Sequence, residues 1–141
     1  MRVSAIVVTL LLLVRAAFAA DSHKIDFTTI LTDADNQPIY ECANPGANIP
    51  ASDPACKDKR PFTLGLAAER ALIQPEQNLS PEDSLMRGQL ALNVMNSNGA
   101  ELKAEEIALI KKRIAALYGP LIVARAFPLL DPAAAKTDPK Q

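Results

Sequence analysis

The sequence predicts a mainly helical α+β domain, an N-terminal β-hairpin followed by about four helices in one small core. Three observations carry this. A β-branched and aromatic run, IDFTTIL (25–31), leads into turn chemistry at Asp33-Ala34-Asp35-Asn36-Gln37. Beyond residue 60, apolar residues recur at helical spacing between recognisable caps and stops. The chain has 141 residues, 49% of them hydrophobic, enough for one domain with a packed core.

The first nineteen residues read as a secretory signal. Arg2 supplies a positive start, residues 3–14 are apolar apart from Ser4 and Thr9, and Ala17-Phe18-Ala19 offers small residues at −3 and −1 of a cleavage site. Twelve residues of helix reach about 18 Å, short of a bilayer core of about 30 Å, so the segment is too short for a span. Removing Arg2 and Arg15 lowers the fifteen basic residues to thirteen against sixteen acidic ones, a net charge of −3. Such a chain carries no basic footprint for nucleic acid.

Export decides how the cysteines are read. Cys42 and Cys56 flank ANPGANIPASDPA, a stretch too rich in Pro, Gly and Asn for a helix or a central strand. In an oxidising compartment the two are expected to pair around this surface loop, with no C-x-x-C spacing or nearby His to favour a metal or a nucleophile.

The hairpin is expected to run from 25–31 through the turn at 33–37 to a short return strand at Pro38-Ile39-Tyr40. Asp33 and Asp35 invite a calcium reading. That reading fails, because the sixth and twelfth loop positions hold Pro38 and Asn44 rather than Gly and Glu.

Thr63 is the expected N-cap of a short helix ending before Pro75. Ser80-Pro81-Glu82-Asp83 then places a capping hydroxyl, a proline at the first helical position and two carboxylates in the first turn. In the helix that follows, Met86, Leu90 and Val94 lie on one side and Leu85, Leu92 and Met95 on another. Gln89 and Asn93 form a narrow polar strip with Arg87 alone opposite, which predicts the central, most buried helix. Asn96-Ser97-Asn98-Gly99 ends it. From Ala104 a further helix aligns Ile107, Ile110, Ile114, Leu117 and Tyr118 in one stripe. Lys111, Lys112 and Arg113 are expected on its solvated face, and Gly119-Pro120 stops it. The last apolar segment, 121–130, is expected to break or end near Pro128. Its single charge, Arg125, is expected to pair with a carboxylate such as Asp131 or to reach water. Residues 20–131 make up the domain, and 132–141 read as a flexible tail.

Several of these runs together carry a resemblance: RGQLALNVM (87–95), ELKAEEIALIKKRI (101–114) and YGPLIVARAFPLLD (118–131), with IDFTTILTDADNQPI and FTLG ahead of them. Over about a hundred residues, 25–131, the chain resembles a group of small bacteriophage and prophage proteins. The resemblance implies origin rather than mechanism. The leader and the cysteine-bounded loop depart from that group and suggest a captured, exported version.

Catalytic residues are not expected. The single His23 lies near the mature N-terminus, and G-x-S-x-G, H-E-x-x-H and a Gly-rich phosphate loop are all missing. Glu82, Asp83, Glu105 and Glu106 are explained by helix first turns. No cofactor and no metal site are assigned. A cut after Ala20, rather than the expected cut after Ala19, would start the chain Asp21-Ser22-His23 and create a square-planar nitrogen set for Cu(II) or Ni(II). Two classes of function stay open. One is a helical protein-interaction module that contacts a protein partner or itself, with Leu121, Ile122 and Phe127 as candidate contact residues on an over-apolar segment. The alternative is a periplasmic small-ligand or metal-binding protein.

Overall fold

The computed structural model describes residues 22–43, 52–95 and 97–131. The leader, its cleavage site, the tail and part of the cysteine-bounded loop lie outside the described residues. Among the described residues there are four helices, as expected: α1 (Leu64–Ile73), α2 (Pro81–Val94), α3 (Ala104–Leu117) and α4 (Pro120–Leu130). Their starts follow local chemistry. Thr63 accepts the N–H of Leu66, and Ser80 accepts the N–H of Asp83 with Pro81 in the first turn. The N–H of Lys103 donates to the Glu106 carboxylate at 2.7 Å. Pro120 opens α4 after Gly119 has closed the preceding stretch. α4 runs through Pro128 and ends near it, as expected, at Leu130. Pro128 is close to the C-terminal end, so the disturbed turn is also the last one.

The β structure is present, with its strands distributed differently from a single hairpin. β1 (Ser22–Ile25) pairs antiparallel with β4 (Ala100–Lys103), and β2 (Tyr40–Cys42) pairs antiparallel with β3 (Lys59–Pro61). The 25–31 run does not continue as one strand because Asp26 turns it. Its carboxylate accepts both the N–H (2.9 Å) and the hydroxyl (2.6 Å) of Thr28, and these bonds, the hydroxyl's first, hold the Asp26 carboxyl below its ordinary range. The chain then runs beside the start of α1, where the carbonyls of Thr29 and Phe27 accept the N–H groups of Leu64 and Gly65. The expected turn forms at 33–37, closed by the Thr32–Pro38 bridge. The Asp33 carboxylate accepts from the N–H groups of Asp35 and Gln37, and Asn36 has a left-handed φ of 59°. Asp33 therefore serves the backbone, the role a turn aspartate ordinarily plays.

α1 is the central helix. It packs on α2 on one side and α3 on the other, and α4 lies against α3. Leu64, Ala67, Ala68, Ala71 and Leu72 are fully covered, together with Phe27, Leu31, Leu102, Ile110, Ile114 and Leu130. The expectation that the 81–94 helix is the most buried is corrected. Only Leu90, Ala91 and Val94 of α2 are buried, whereas Leu85, Met86 and Leu92 are exposed. The short, alanine-rich α1 takes the centre because small side chains let two helices approach it from opposite sides.

Candidate functional site

The largest departure from an ordinary surface lies on the outer side of α2. Leu92 is 75% exposed, Leu85 64%, and Ile73 at the end of α1 57%. These side chains line an open groove of about 460 Å³ with Ser84, Gly88 and Met95. Leu85, Gly88, Leu92 and Met95 follow a 3-4 spacing that sets them on one face of the helix, opposite Leu90 and Val94. Helical periodicity alone counted both faces as core.

A charge cluster, with its two arginines covered and its carboxylate exposed, ties α2 to the end of α1 and to α3. Arg87 points inward from α2 and donates to the Glu76 carboxylate, which also accepts from Arg113 Nη1 at 3.0 Å. Arg113 in turn donates to the carbonyls of Ala71 (3.1 Å) and Gln74 (3.3 Å), which have no continuing helix to bond. Hydrogen bonding from Arg87, together with the charges of Arg87, Arg113 and Lys112, holds the Glu76 carboxyl below its ordinary range against the opposing effect of desolvation. Arg113 is 8% exposed, so its place on a solvated Lys-Lys-Arg face is corrected. It is buried because it caps α1 and shares Glu76 with Arg87.

The groove continues along α1 past Glu69, Ile73 and Met95 into a second concavity of about 470 Å³ lined by Arg60, Thr63, Leu66 and Arg70. Here Glu41 of β2 accepts from Arg60 Nε at 2.6 Å and from both terminal nitrogens of Arg70 at 2.6 and 2.7 Å. Desolvation opposes charge on Arg70, but the bidentate bond and the Glu41 charge outweigh it, and its pKa is raised. The Arg70 guanidinium lies 5.9 Å from the Phe62 ring centre, and Tyr118 meets that ring edge-on at 5.8 Å. Burial pushes the Tyr118 phenol up. Cys42, next to Glu41, forms the expected disulfide with Cys56, their Cα atoms 5.5 Å apart. The disulfide ties the end of β2 to the segment leading into β3, and the Glu41–Arg70 ion pair ties the β2–β3 ribbon to α1.

The residues expected to make contacts from α4 are placed mostly inward. Ile122 and Phe127 are half-buried and pack on the core, and Leu121 is 43% exposed. The Lys111 ammonium lies 5.6 Å from the Phe127 ring centre. Lys111, rather than Arg125, pairs with Asp131, at 3.1 Å. Arg125 instead donates to the Asp33 carbonyl at 2.6 Å, tying α4 to the turn.

His23 lines a cavity of about 210 Å³ with Ala104, Ile107, Lys111, Leu130 and Asp131, below the ~300 Å³ of a typical small-molecule site. Among the described residues, no three His, Cys, Asp or Glu side chains converge as a metal site, and no helix is long and apolar enough to cross a membrane. Compared with protein-family models, with curated proteins and with solved structures, the chain matches none.

Proposed function

We propose that this protein is an exported, non-enzymatic helical interaction module of phage or prophage origin, and that it docks protein through the outer face of α2 and the adjoining end of α1. The observation that supports this most is the run of exposed Ile73, Leu85 and Leu92 around an open groove, on a helix held in place by the Glu76–Arg87–Arg113 cluster. Large apolar side chains grouped on a surface and backed by a firm scaffold are the ordinary composition of a protein-docking site. The leader-like first nineteen residues and the disulfide support export, and the resemblance over 25–131 supports phage ancestry.

The test is a photo-crosslinking amino acid at position 92, with a second at exposed Glu101 as control, in cells that make the protein. A discrete protein adduct is expected from position 92 and none from 101. No adduct at position 92 refutes the docking reading, and recovery of the full-length mass from a soluble periplasmic fraction refutes signal cleavage.

A further inference from the structure

We infer that the partner seated on this groove is a second copy of the chain, its α2 crossing α2 antiparallel about Gly88. The inference rests on reading this face as a docking surface. The face is self-complementary. Leu85 and Leu92 stand as ridges on either side of Gly88, and a side chain at position 88 would meet nothing within 4 Å in its own copy. A two-fold axis near Gly88 therefore brings the two backbones close, with Leu85 of each copy beside the partner's Leu92, the isologous arrangement of closed dimers.

Charge fixes the direction. The stripe Leu85–Gly88–Leu92–Met95 is uncharged, and α2 carries Glu82 and Asp83 in its first turn. In the antiparallel arrangement that acidic turn lies at the partner's Met95 end of the groove, where the concavity holding Arg60 and Arg70 begins. The two guanidiniums there, 43% and 39% exposed, stand against the carboxylates of Glu41 and Glu69, so that end of the groove carries no excess of acid to repel the partner's acidic turn. A parallel arrangement would instead stack acidic turn on acidic turn.

The area suits a reversible dimer. A helix of fourteen residues is about 21 Å long and about 10 Å wide, a footprint of about 210 Å² a side before Ile73 is added. Doubled, that lies below the ~1,000 Å² at which stable specific interfaces begin, the range of a weak, reversible dimer.

Sedimentation equilibrium of the oxidised protein from about 1 μM to about 1 mM spans the expected range of dissociation constants. Wild type should shift from monomer to dimer. Leu92→Asp should raise the dissociation constant at least about tenfold, as removal of a central anchor does. Gly88→Lys should do the same while leaving the thermal midpoint of the monomer equal or higher, which separates lost docking from lost folding. A wild type that stays monomeric at about 1 mM overturns the inference, as does a dimer that survives both substitutions. If the position-92 crosslink captures a different protein while the purified chain is monomeric, the docking reading stands and the second-copy inference falls.

Discussion

Gly65 and Gly88 both sit inside helices, and the same substitution should act on them with opposite sign. A Cβ built on Gly65 lies 2.9 Å from the Phe27 carbonyl oxygen, 3.1 Å from the Val94 carbonyl oxygen and 3.3 Å from Phe27 Cβ. Two of these neighbours are backbone and the third is bonded to it, so none can swing aside. Gly65→Ala gains about 1 kcal/mol of helix propensity. Against that stand an overpacking cost of about 1–3 kcal/mol and the weakening, as the added methyl pushes the segments apart, of the 2.8 Å Gly65 N–H bond to the Phe27 carbonyl, worth about 1 kcal/mol. The net expectation is a loss of about 1–3 kcal/mol, a midpoint lower by several degrees in a domain of this size. Gly88→Ala meets nothing and should gain up to about 1 kcal/mol in the monomer. Urea unfolding of both variants at equal, low protein concentration, followed by far-UV circular dichroism, measures the pair. A Gly65→Ala protein as stable as wild type would refute the close seating of α1 against the Phe27 segment and the end of α2.

Replacing Cys42 and Cys56 by Ser should lower stability by about 2–4 kcal/mol while the helical signal remains, because the loop closes outside every helix; free thiols in protein taken from an oxidising compartment would contradict the pairing. Glu76 has a folded pKa below its unfolded value of 4.5, so its contribution is fully present above about pH 4.5 and is lost as pH falls through the folded value; Glu76→Gln should be less stable than wild type at neutral pH and converge on it in acid, read from denaturation midpoints across pH. Phe127→Asp places a carboxylate among core contacts, and a stability loss of about 2–4 kcal/mol is expected without a specific change in self-association; a fully stable variant that loses a partner would return Phe127 to the docking surface.

Helix starts were legible because a cap is a contract between neighbours: Thr63 with Leu66, Ser80 with Asp83 and Pro81, Gly119 with Pro120. The disulfide was legible for a similar reason, since composition alone made its loop a surface feature. Strand partners were not. Nothing within AELK (100–103) names Ser22–Ile25 as its neighbour, and the carboxylate of Asp26 that ends β1 looks like any turn-former in the sequence. Burial around α2 was misread because periodicity reports how apolar residues are spaced, while coverage depends on which helices arrive. Leu85 and Leu92 carry the same letters as a core leucine, so the docking face was counted as interior. Arg113 was hidden in the same way within a basic triplet, its burial set by carbonyls forty residues away at Ala71 and Gln74.

The antiparallel pairing of Ser22 with Lys103 has a consequence for the order in which the molecule is built. A ribosome releases β1 long before β4 exists, so the first strand waits about eighty residues for its partner. Until then the carbonyl of Phe27 can bond Gly65 at the start of α1, but its N–H lacks Ser97. The β2–β3 ribbon closes over fewer than twenty residues and can form early, because short loops cost less chain entropy than long ones. Cooperative closure of the domain thus comes late in synthesis, when Leu102 takes its buried place and the two distant strands meet.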